Sequence, residues 1–183
     1  MAVMTSAADT GQRRMLVPGA VLLAFGLVAA LWAASYFSPE ARVRRATAKA
    51  VALAQKAGPD SPVALGLAAN RFGDLLAVNA SLEIEGWGQI AAARQEIVQV
   101  FVQVRDTFEQ ISFAEPKIST VKVPSGGVEA HVSAHYRFAP MNGQALEGDG
   151  KATLQWAKGD EGWQIRRAVL RPDSQQALPR GWR

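Results

Sequence analysis

The chain has no cysteine among its 183 residues. This absence excludes disulfide bonds, thiol nucleophiles and cysteine-ligated metal sites, and it fits a reducing or an oxidising compartment equally. Histidine is scarce as well, because His131 and His135 are the only two. The sequence also lacks a Ser-His-Asp arrangement, a phosphate-binding glycine loop and a cluster of metal ligands. We therefore expect no metal, no cofactor and no catalytic residues of these common kinds.

The chain also lacks a large net charge of either sign. The chain carries 20 lysine and arginine residues against 16 aspartate and glutamate residues, a formal net charge of +4. The acidic and basic side chains are interspersed along the sequence, and no motif of a nucleic-acid-binding fold accompanies them. We therefore exclude nucleic acid as a partner.

Charge is absent altogether from Met15–Phe37, the run MLVPGAVLLAFGLVAALWAASYF. A bilayer core of about 30 Å is spanned by about 20 helical residues, so this run predicts a transmembrane helix. The alternative is a cleaved signal peptide, with Arg13 and Arg14 as its basic start and small residues up to Ser35 near the cleavage site. We favour an uncleaved anchor behind a short tail over 1–14, because the apolar run is too long for a signal peptide.

Basic residues flank both ends of this run, so they give no simple orientation. Counting positive charges places the C-terminal side in the cytoplasm, whereas large domains often translocate regardless of nearby charge. We favour a soluble domain over 38–172 on the exported, periplasmic side, followed by a flexible tail over 173–183. The lipid bilayer is then one partner of the protein.

A helix is predicted over Pro39–Ala57, between a cap at Ser38 and a stop at Gly58. One face of it is apolar. The opposite face carries four basic residues, namely Arg42, Arg45, Lys49 and Lys56. This basic stripe is either a solvated face or a surface that adheres to anionic lipid headgroups, at about 1 kcal/mol per basic residue.

The remaining elements follow from caps and from hydrophobic periodicity. Ser61 and Pro62 begin a second helix, and the run ASLEIEG over 80–86 alternates as a short strand does. A longer helical pattern covers 88–112, with an apolar stripe that contains no polar residue. From Pro116 the pattern changes to four antiparallel strands joined by tight turns. Together these elements predict an α+β fold, in which a curved antiparallel sheet of about five strands packs on three helices.

The order of these elements resembles the nuclear transport factor 2-like superfamily, from about Val43 to Leu170. The stretch that carries the resemblance best is GDGKATLQWAKGDEGWQIRRAVL, in which a strand ending in Trp156 turns into a strand opening with Trp163. The resemblance implies a cone-shaped fold that also includes ketosteroid isomerase and scytalone dehydratase. The first two predicted helices contain no tyrosine and hold their carboxylates near their ends, so the acid and base of the isomerases have no counterpart here.

The strand GVEAHVSAHYRF places its side chains on alternate faces. Its apolar set must face the helices, so a polar set faces outward and is our interface candidate. That set is Glu129, His131, Ser133, His135 and Arg137. The two histidines are about 13 Å apart along the strand, which is too far for two ligands of one metal.

The same alternation suggests which residues line the cone. In the last strand Trp163 and Arg167 fall on one face, so an inward Trp163 predicts an inward Arg167. Such an arginine must pair with a carboxylate, for example Asp74 or Glu83, or bind an anionic ligand. The full set of pocket candidates is Arg167, Tyr136, Trp156, Trp163 and Thr120.

Two functions from different classes remain. The first is a single-pass membrane-anchored, non-catalytic scaffold that acts as a subunit or assembly factor of a membrane complex. It would bind bacterial envelope proteins or a second copy of itself through the outer sheet face. The superfamily that the chain resembles includes members with an N-terminal anchor that act this way, such as the inner-membrane assembly factor of type IV secretion systems. The alternative is a small-molecule-binding or lyase/isomerase-type protein that uses the apolar cone. A third hypothesis is a sensor of the lipid surface that acts through the basic stripe.

Overall fold

The structure is a computed structural model that describes residues 35–124 and 126–173. The chain divides after Ser38, and every helix and strand below belongs to the part that begins at Pro39. The predicted anchor over 15–37 and the predicted tail lie almost entirely outside the described residues. Among the residues described, no helix is both long enough and apolar enough to cross a bilayer.

Within the described residues, three helices and six strands make up the domain, which is one strand more than predicted. The helices are α1 Pro39–Ala54, α2 Pro62–Gly73 and α3 Arg94–Thr107. The strands are β1 Leu76–Ile84, β2 Gly88–Ala91, β3 Phe108–Lys122, β4 Val128–Pro140, β5 Leu146–Gly159 and β6 Gly162–Pro172. They form one sheet in the order β2-β1-β6-β5-β4-β3. The α+β class is therefore confirmed.

The sheet is mixed rather than wholly antiparallel, which corrects the prediction. Strand β1 runs parallel to β6, and all other neighbours are antiparallel. A parallel pair needs a long crossover connection, and here the chain between β1 and β6 includes α3 and four strands. The last strand thereby lies inside the sheet, between β1 and β5.

Helix α3 is shorter than its predicted span of 88–112. Residues 88–91 pair with β1 as strand β2, and the chain enters β3 at Phe108, which pairs with Pro140. Ile90 and Ile111 satisfy helical spacing, but an apolar residue at such a position serves a strand equally well. The periodicity therefore located the helix and missed both of its ends.

Strand β3 begins at Phe108, eight positions before the predicted start at Pro116. The strand passes Pro116 through a register shift between Ala114 and Lys117, where Glu115 adopts φ +46°. Proline cannot donate to a strand ladder and is tolerated at edge strands and bulges. Both conditions hold here, because β3 is an edge strand of the sheet.

The core lies between the helices and one face of the sheet, which we call the inner face. Helix α1 buries Val43, Thr47 and Ala50, as its apolar face predicts. Ser61 caps α2 by accepting a hydrogen bond from the amide of Ala64 at 3.2 Å, again as predicted. The sheet contributes buried side chains from its central strands: Val128, Ala130, Val132, Leu154, Trp156 and Ile165.

Lys56 does not belong to the basic stripe. Helix α1 ends at Ala54, and the main chain of Lys56 then pairs with Ile111 through two hydrogen bonds of 2.9 Å. Only 5% of the Lys56 side chain is exposed, and its Nζ donates to the carbonyl of Arg105 at 2.6 Å. The other three residues of the stripe, Arg42, Arg45 and Lys49, are exposed.

Helix α3 buries an arginine, which contradicts the prediction of a wholly apolar stripe. The guanidinium of Arg105 donates to both carboxylate oxygens of Asp60, at 2.8 and 2.9 Å. It also donates to the carbonyls of Leu53 and Gln55, at 2.6 and 3.1 Å. The hydrogen bonds and charge of Arg105 lower the pKa of Asp60, against the opposing effect of burial. This Arg105 network fastens the loop between α1 and α2 to α3.

Candidate ligand-binding surfaces

Four of the five predicted pocket residues lie on the inner face. Thr120 pairs with the buried Ala130, and Trp156 is itself buried between strands β4 and β6. Trp163 packs partly buried against the core, and Tyr136 is half-buried on β4. The alternation of side chains therefore assigns these four to the correct face.

These residues do not converge on one pocket. Trp156 pairs with Val128 and Tyr136 pairs with Gly148, so the two aromatic residues are eight positions apart along β5. At about 3.3 Å per residue this separation is about 26 Å. The inner face therefore has two distinct ends, one at Trp156 and the other at Tyr136.

The Tyr136 end is an aromatic wall made of Phe108, Phe113, Tyr136 and Phe138. The ring of Phe138 lies 5.2 Å from Phe108, 5.9 Å from Phe113 and 5.5 Å from Tyr136, measured between ring centroids. A Cβ atom at Gly150 would lie 3.1 Å from Tyr136, so the glycine leaves the space that this ring occupies. Only Phe108 is fully buried, and the other three rings are half-buried.

Two buried polar atoms between α1 and the inner face of the sheet lack hydrogen-bond partners among the described residues. They are Oγ1 of Thr47 and Nε1 of Trp156. Thr47 is 0% and Trp156 is 2% exposed. Thr47 lies on the buried face of α1 between Val43 and Ala50, which belong to the same core cluster as Trp156. The sequence predicts Trp156 as a pocket residue and gives no such signal for Thr47.

Arg167 lies on the outer face of the sheet, which corrects its predicted inward direction. Trp156 pairs with Ile165 and Gln155 pairs with Arg167, so β6 has one extra residue between these pairs. Such a bulge reverses the alternation for the rest of the strand. The guanidinium donates to both carboxylate oxygens of Glu83, at 2.9 and 2.6 Å. Through these hydrogen bonds the pKa of Glu83 is lowered and the pKa of Arg167 is raised.

The predicted interface residues of β4 all lie opposite its buried residues. His131 is 3.3 Å from the hydroxyl of Thr153, and His135 is 3.1 Å from the carboxylate of Asp149. Arg137 is 3.9 Å from Glu147, so cross-strand polar pairs run along this face. Over residues 35–124 and 126–173, no group of three histidine, aspartate or glutamate residues could hold a metal ion. The interface role of these residues stays a prediction.

A groove that the sequence did not reveal opens at one end of the outer face. Its volume is about 640 Å³. Its polar lining comes from β1, β4, β5 and β6, and consists of Asn79, Glu129, Gln155, Lys158, Gln164 and Arg166. The adjacent charges Arg166 and Arg167 break the alternation of a strand, and this is the sequence signal that could have revealed the bulge beside the groove.

Comparison of the sequence with known proteins gives no assignment. No protein-family model matches the chain, and no curated protein sequence matches it.

Comparison of the structure identifies the fold. A candidate scytalone dehydratase from Novosphingobium aromaticivorans superimposes with a TM-score of 0.59 at 11% identity, over 75% of this chain and 87% of that one. A nuclear transport factor 2-like superfamily protein from Salmonella enterica gives 0.56 at 16% identity, over 76% and 94%. A candidate aromatic ring hydroxylase from N. aromaticivorans gives 0.52 at 11% identity, over 58% and 76%. The fold is therefore that of the nuclear transport factor 2-like proteins, as the resemblance implied, and at these identities the likeness extends to the fold alone.

Proposed function

We propose that the domain binds a largely apolar small molecule between α1 and the inner face of the sheet. The observation that carries this proposal is the pair of buried polar atoms, Oγ1 of Thr47 and Nε1 of Trp156, which have no partner among the described residues. A buried donor without a hydrogen bond costs about 1–3 kcal/mol. Folded proteins leave few such groups, and a ligand that supplies an acceptor removes the cost.

The chemistry of the two groups defines the ligand. The indole of Trp156 only donates, whereas the hydroxyl of Thr47 both donates and accepts. The surrounding core is aliphatic, and the aromatic wall continues the same face toward Tyr136. The ligand is therefore an apolar molecule with one or two oxygen acceptors, such as a carbonyl or a hydroxyl group.

Binding is favoured over catalysis by what the core contains. The buried polar or charged residues of the described chain are Thr47 and Arg105, and the arginine is fully occupied by Asp60 and two carbonyls. Proton transfer of the isomerase type needs a positioned general base beside the substrate. None of the fully buried residues described is a carboxylate. The fold neighbours with enzyme descriptions support a ligand-holding cone by analogy only.

The test removes each hydrogen-bonding group, at Thr47 by a nearly isosteric substitution and at Trp156 by one that also makes the ring smaller. The full chain and its Thr47→Val and Trp156→Phe variants are purified from native membranes in a mild detergent, and retained small molecules are identified by mass spectrometry. We expect a stoichiometric apolar molecule in the parent protein and its loss from both variants. Thr107→Val is the matched control, because the Thr107 hydroxyl lies on the exposed side of α3.

A second readout separates ligand binding from packing. With its ligand stripped, Thr47→Val should unfold at a higher temperature than the parent chain, since it removes an unsatisfied polar group. With ligand present, this order should reverse. A parent protein that retains no small molecule, together with a uniformly more stable Thr47→Val variant, would show that the hydroxyl is only a cost to folding.

A second candidate function is the membrane-tethered scaffold, and the outer face favours it. The polar residues of β4 and β5 form an exposed surface of paired charges, and complementary charge patterns specify protein partners. An anchor over 15–37 would hold this surface at the membrane. In affinity purification, charge reversal by Glu129→Lys or Arg137→Glu should release any stoichiometric partner, whereas unchanged recovery contradicts docking through this face.

A further inference from the structure

Two irregularities of the sheet coincide beside the groove. Between β5 and β6, Trp156 pairs with Ile165 and Gln155 with Arg167, which leaves Arg166 without a partner residue on β5. Between β1 and β6, the register jumps from the Leu76–Ile165 pair to the Ser81–Arg167 pair. Arg166 therefore has no partner residue on either neighbouring strand.

Strand β1 also has a stretch of unpaired residues at this point. Residues 77–80 have no partner residue on β2 or on β6. Val78 and Asn79 consequently project from the sheet, and Val78 is 74% exposed. The groove lies between this segment, the start of β4 and the turn that joins β5 to β6. A bulge of this kind re-aims side chains and is common beside functional sites.

Arg166 differs from the other arginines of the strands in having no carboxylate partner. Arg167 pairs with Glu83, Arg171 with Glu85 and Arg137 with Glu147. The side chain of Arg166 forms no ion pair or hydrogen bond with any residue in the described part of the chain, and neither does that of Lys158. Both cations line the groove. Arg166 is thus an unpaired cation on a sheet whose other arginines are neutralised.

We propose that this groove binds a small molecule that carries a carboxylate or phosphate group, with Arg166 as its principal contact. The planar guanidinium can bind two oxygens of such a group at once, and Lys158 adds a second positive charge. The amides of Asn79, Gln155 and Gln164 offer further hydrogen bonds, and Glu129 disfavours an anion at its own end of the groove. The volume of about 640 Å³ is that of a small-molecule site.

This site is separate from the proposed site in the cone. The outward side chains of Glu129 and Gln155 line the groove on the opposite face of the sheet from Thr47. The exposed Val78 and the half-buried Val123 and Ala157 also line it and give it an apolar component. The ligand class is therefore an organic anion with a compact apolar part rather than a bare inorganic ion.

The experiment follows amide resonances of the full chain in non-ionic detergent micelles during titration with phenyl phosphate and with benzoate. We expect saturable shifts at Gly126, Gly127 and Gly159, which border the groove. Sodium chloride at equal ionic strength is the control for general screening, and it should not reproduce these shifts.

Paired variants identify the contact. Arg166→Gln should weaken binding of the better probe on the order of tenfold or more, which is the usual value of a hydrogen-bonded charged contact. Arg167→Gln is the matched control, since the neighbouring arginine pairs with Glu83 and does not line the groove. Its affinity should equal that of the parent chain.

Three results would overturn the proposal. These are an absence of saturable shifts with both probes, equal shifts with chloride, and equal affinities in the parent chain and Arg166→Gln. Resonances outside the groove report whether each variant is folded, so a folding defect is not read as lost binding.

Discussion

Two arginines of this domain hold a carboxylate in the same way, in opposite surroundings. Arg105 grips Asp60 with hydrogen bonds of 2.8 and 2.9 Å, and Arg167 grips Glu83 with hydrogen bonds of 2.9 and 2.6 Å. The Arg105 side chain is 7% exposed and the Arg167 side chain is 47% exposed. Both pairs join segments that are distant in sequence.

The two pairs differ in burial rather than in geometry, and we expect burial to decide what each contributes to stability. Water solvates Arg167 and Glu83 well when they separate, so the exposed pair gains little. Arg105 and Asp60 were removed from water on folding, so each charge depends on the other. Arg105 also satisfies the carbonyls of Leu53 and Gln55, which connects the pair to the main chain of the loop.

The largest effect should come from breaking the buried pair at its centre. Arg105→Ala leaves the Asp60 carboxylate and two carbonyls without their donor, and we expect a loss of about 3–5 kcal/mol in the free energy of unfolding. Urea denaturation followed by circular dichroism measures it. Arg71→Ala on the exposed side of α2 is the control, with an expected change within about 0.5 kcal/mol. If Arg105→Ala loses no more stability than the control variant, burial does not distinguish the two ion pairs.

Low pH should weaken the same ion pair without any substitution at Arg105. The pKa of Asp60 lies below its ordinary value of 3.8 in the folded protein, mainly through the hydrogen bonds from Arg105. This contribution to stability is complete above the unfolded pKa and is lost as the pH falls through the folded pKa. Stability measured against pH should therefore decline less steeply in Asp60→Asn than in the parent protein below about pH 4. If stability falls equally with pH in both proteins, the ionisation of Asp60 does not contribute to stability.

A smaller effect is expected from Lys56, at the edge of the Arg105 network. Lys56→Met keeps the Arg105–Asp60 pair and removes the hydrogen bond from Nζ to the Arg105 carbonyl. We expect a loss of about 1–2 kcal/mol, the usual cost of one unsatisfied buried acceptor. Lys49→Met on the exposed face of α1 is the control for the lost charge. Equal stabilities of the two variants would show that Lys56 does not stabilise the network.

The smallest effect should come from the exposed pair. Arg167→Gln should leave the urea midpoint nearly unchanged, and any difference from the parent protein should vanish as salt is added. A midpoint shift as large as that of Arg105→Ala would show that geometry outweighs burial in this molecule.

These arginines also show which features of the structure can be predicted from the sequence and which cannot. Local signals predict the start of α2 at Ser61 and Pro62 and the buried face of α1, because a cap and a periodic apolar face act within a few residues. The end of α1 at Ala54, three residues before the predicted end, did not follow from them. Alternation alone assigns the outward side chains of β4, because no bulge interrupts the β4–β5 register. The α+β class and the resemblance followed from the order of these elements.

The remaining features depend on partners that are distant in the chain. The burial of Arg105 requires Asp60, which lies 45 positions away. No signal in the sequence near Arg105 predicts this pairing. The outward turn of Arg167 follows from a bulge whose position is set by the strands on both sides. The groove at Arg166 is a product of the same bulge, so it could not be foreseen without the registers of β1 and β5.

The interior position of β6 sets the order in which the molecule can be completed during synthesis. Strand β1 has only β2 and β6 as neighbours, and β6 ends at Pro172. Until the ribosome has released that segment, the β1–β2 hairpin has no strand to pair with on the other side of β1. The six-stranded sheet therefore cannot be completed before β6 has emerged.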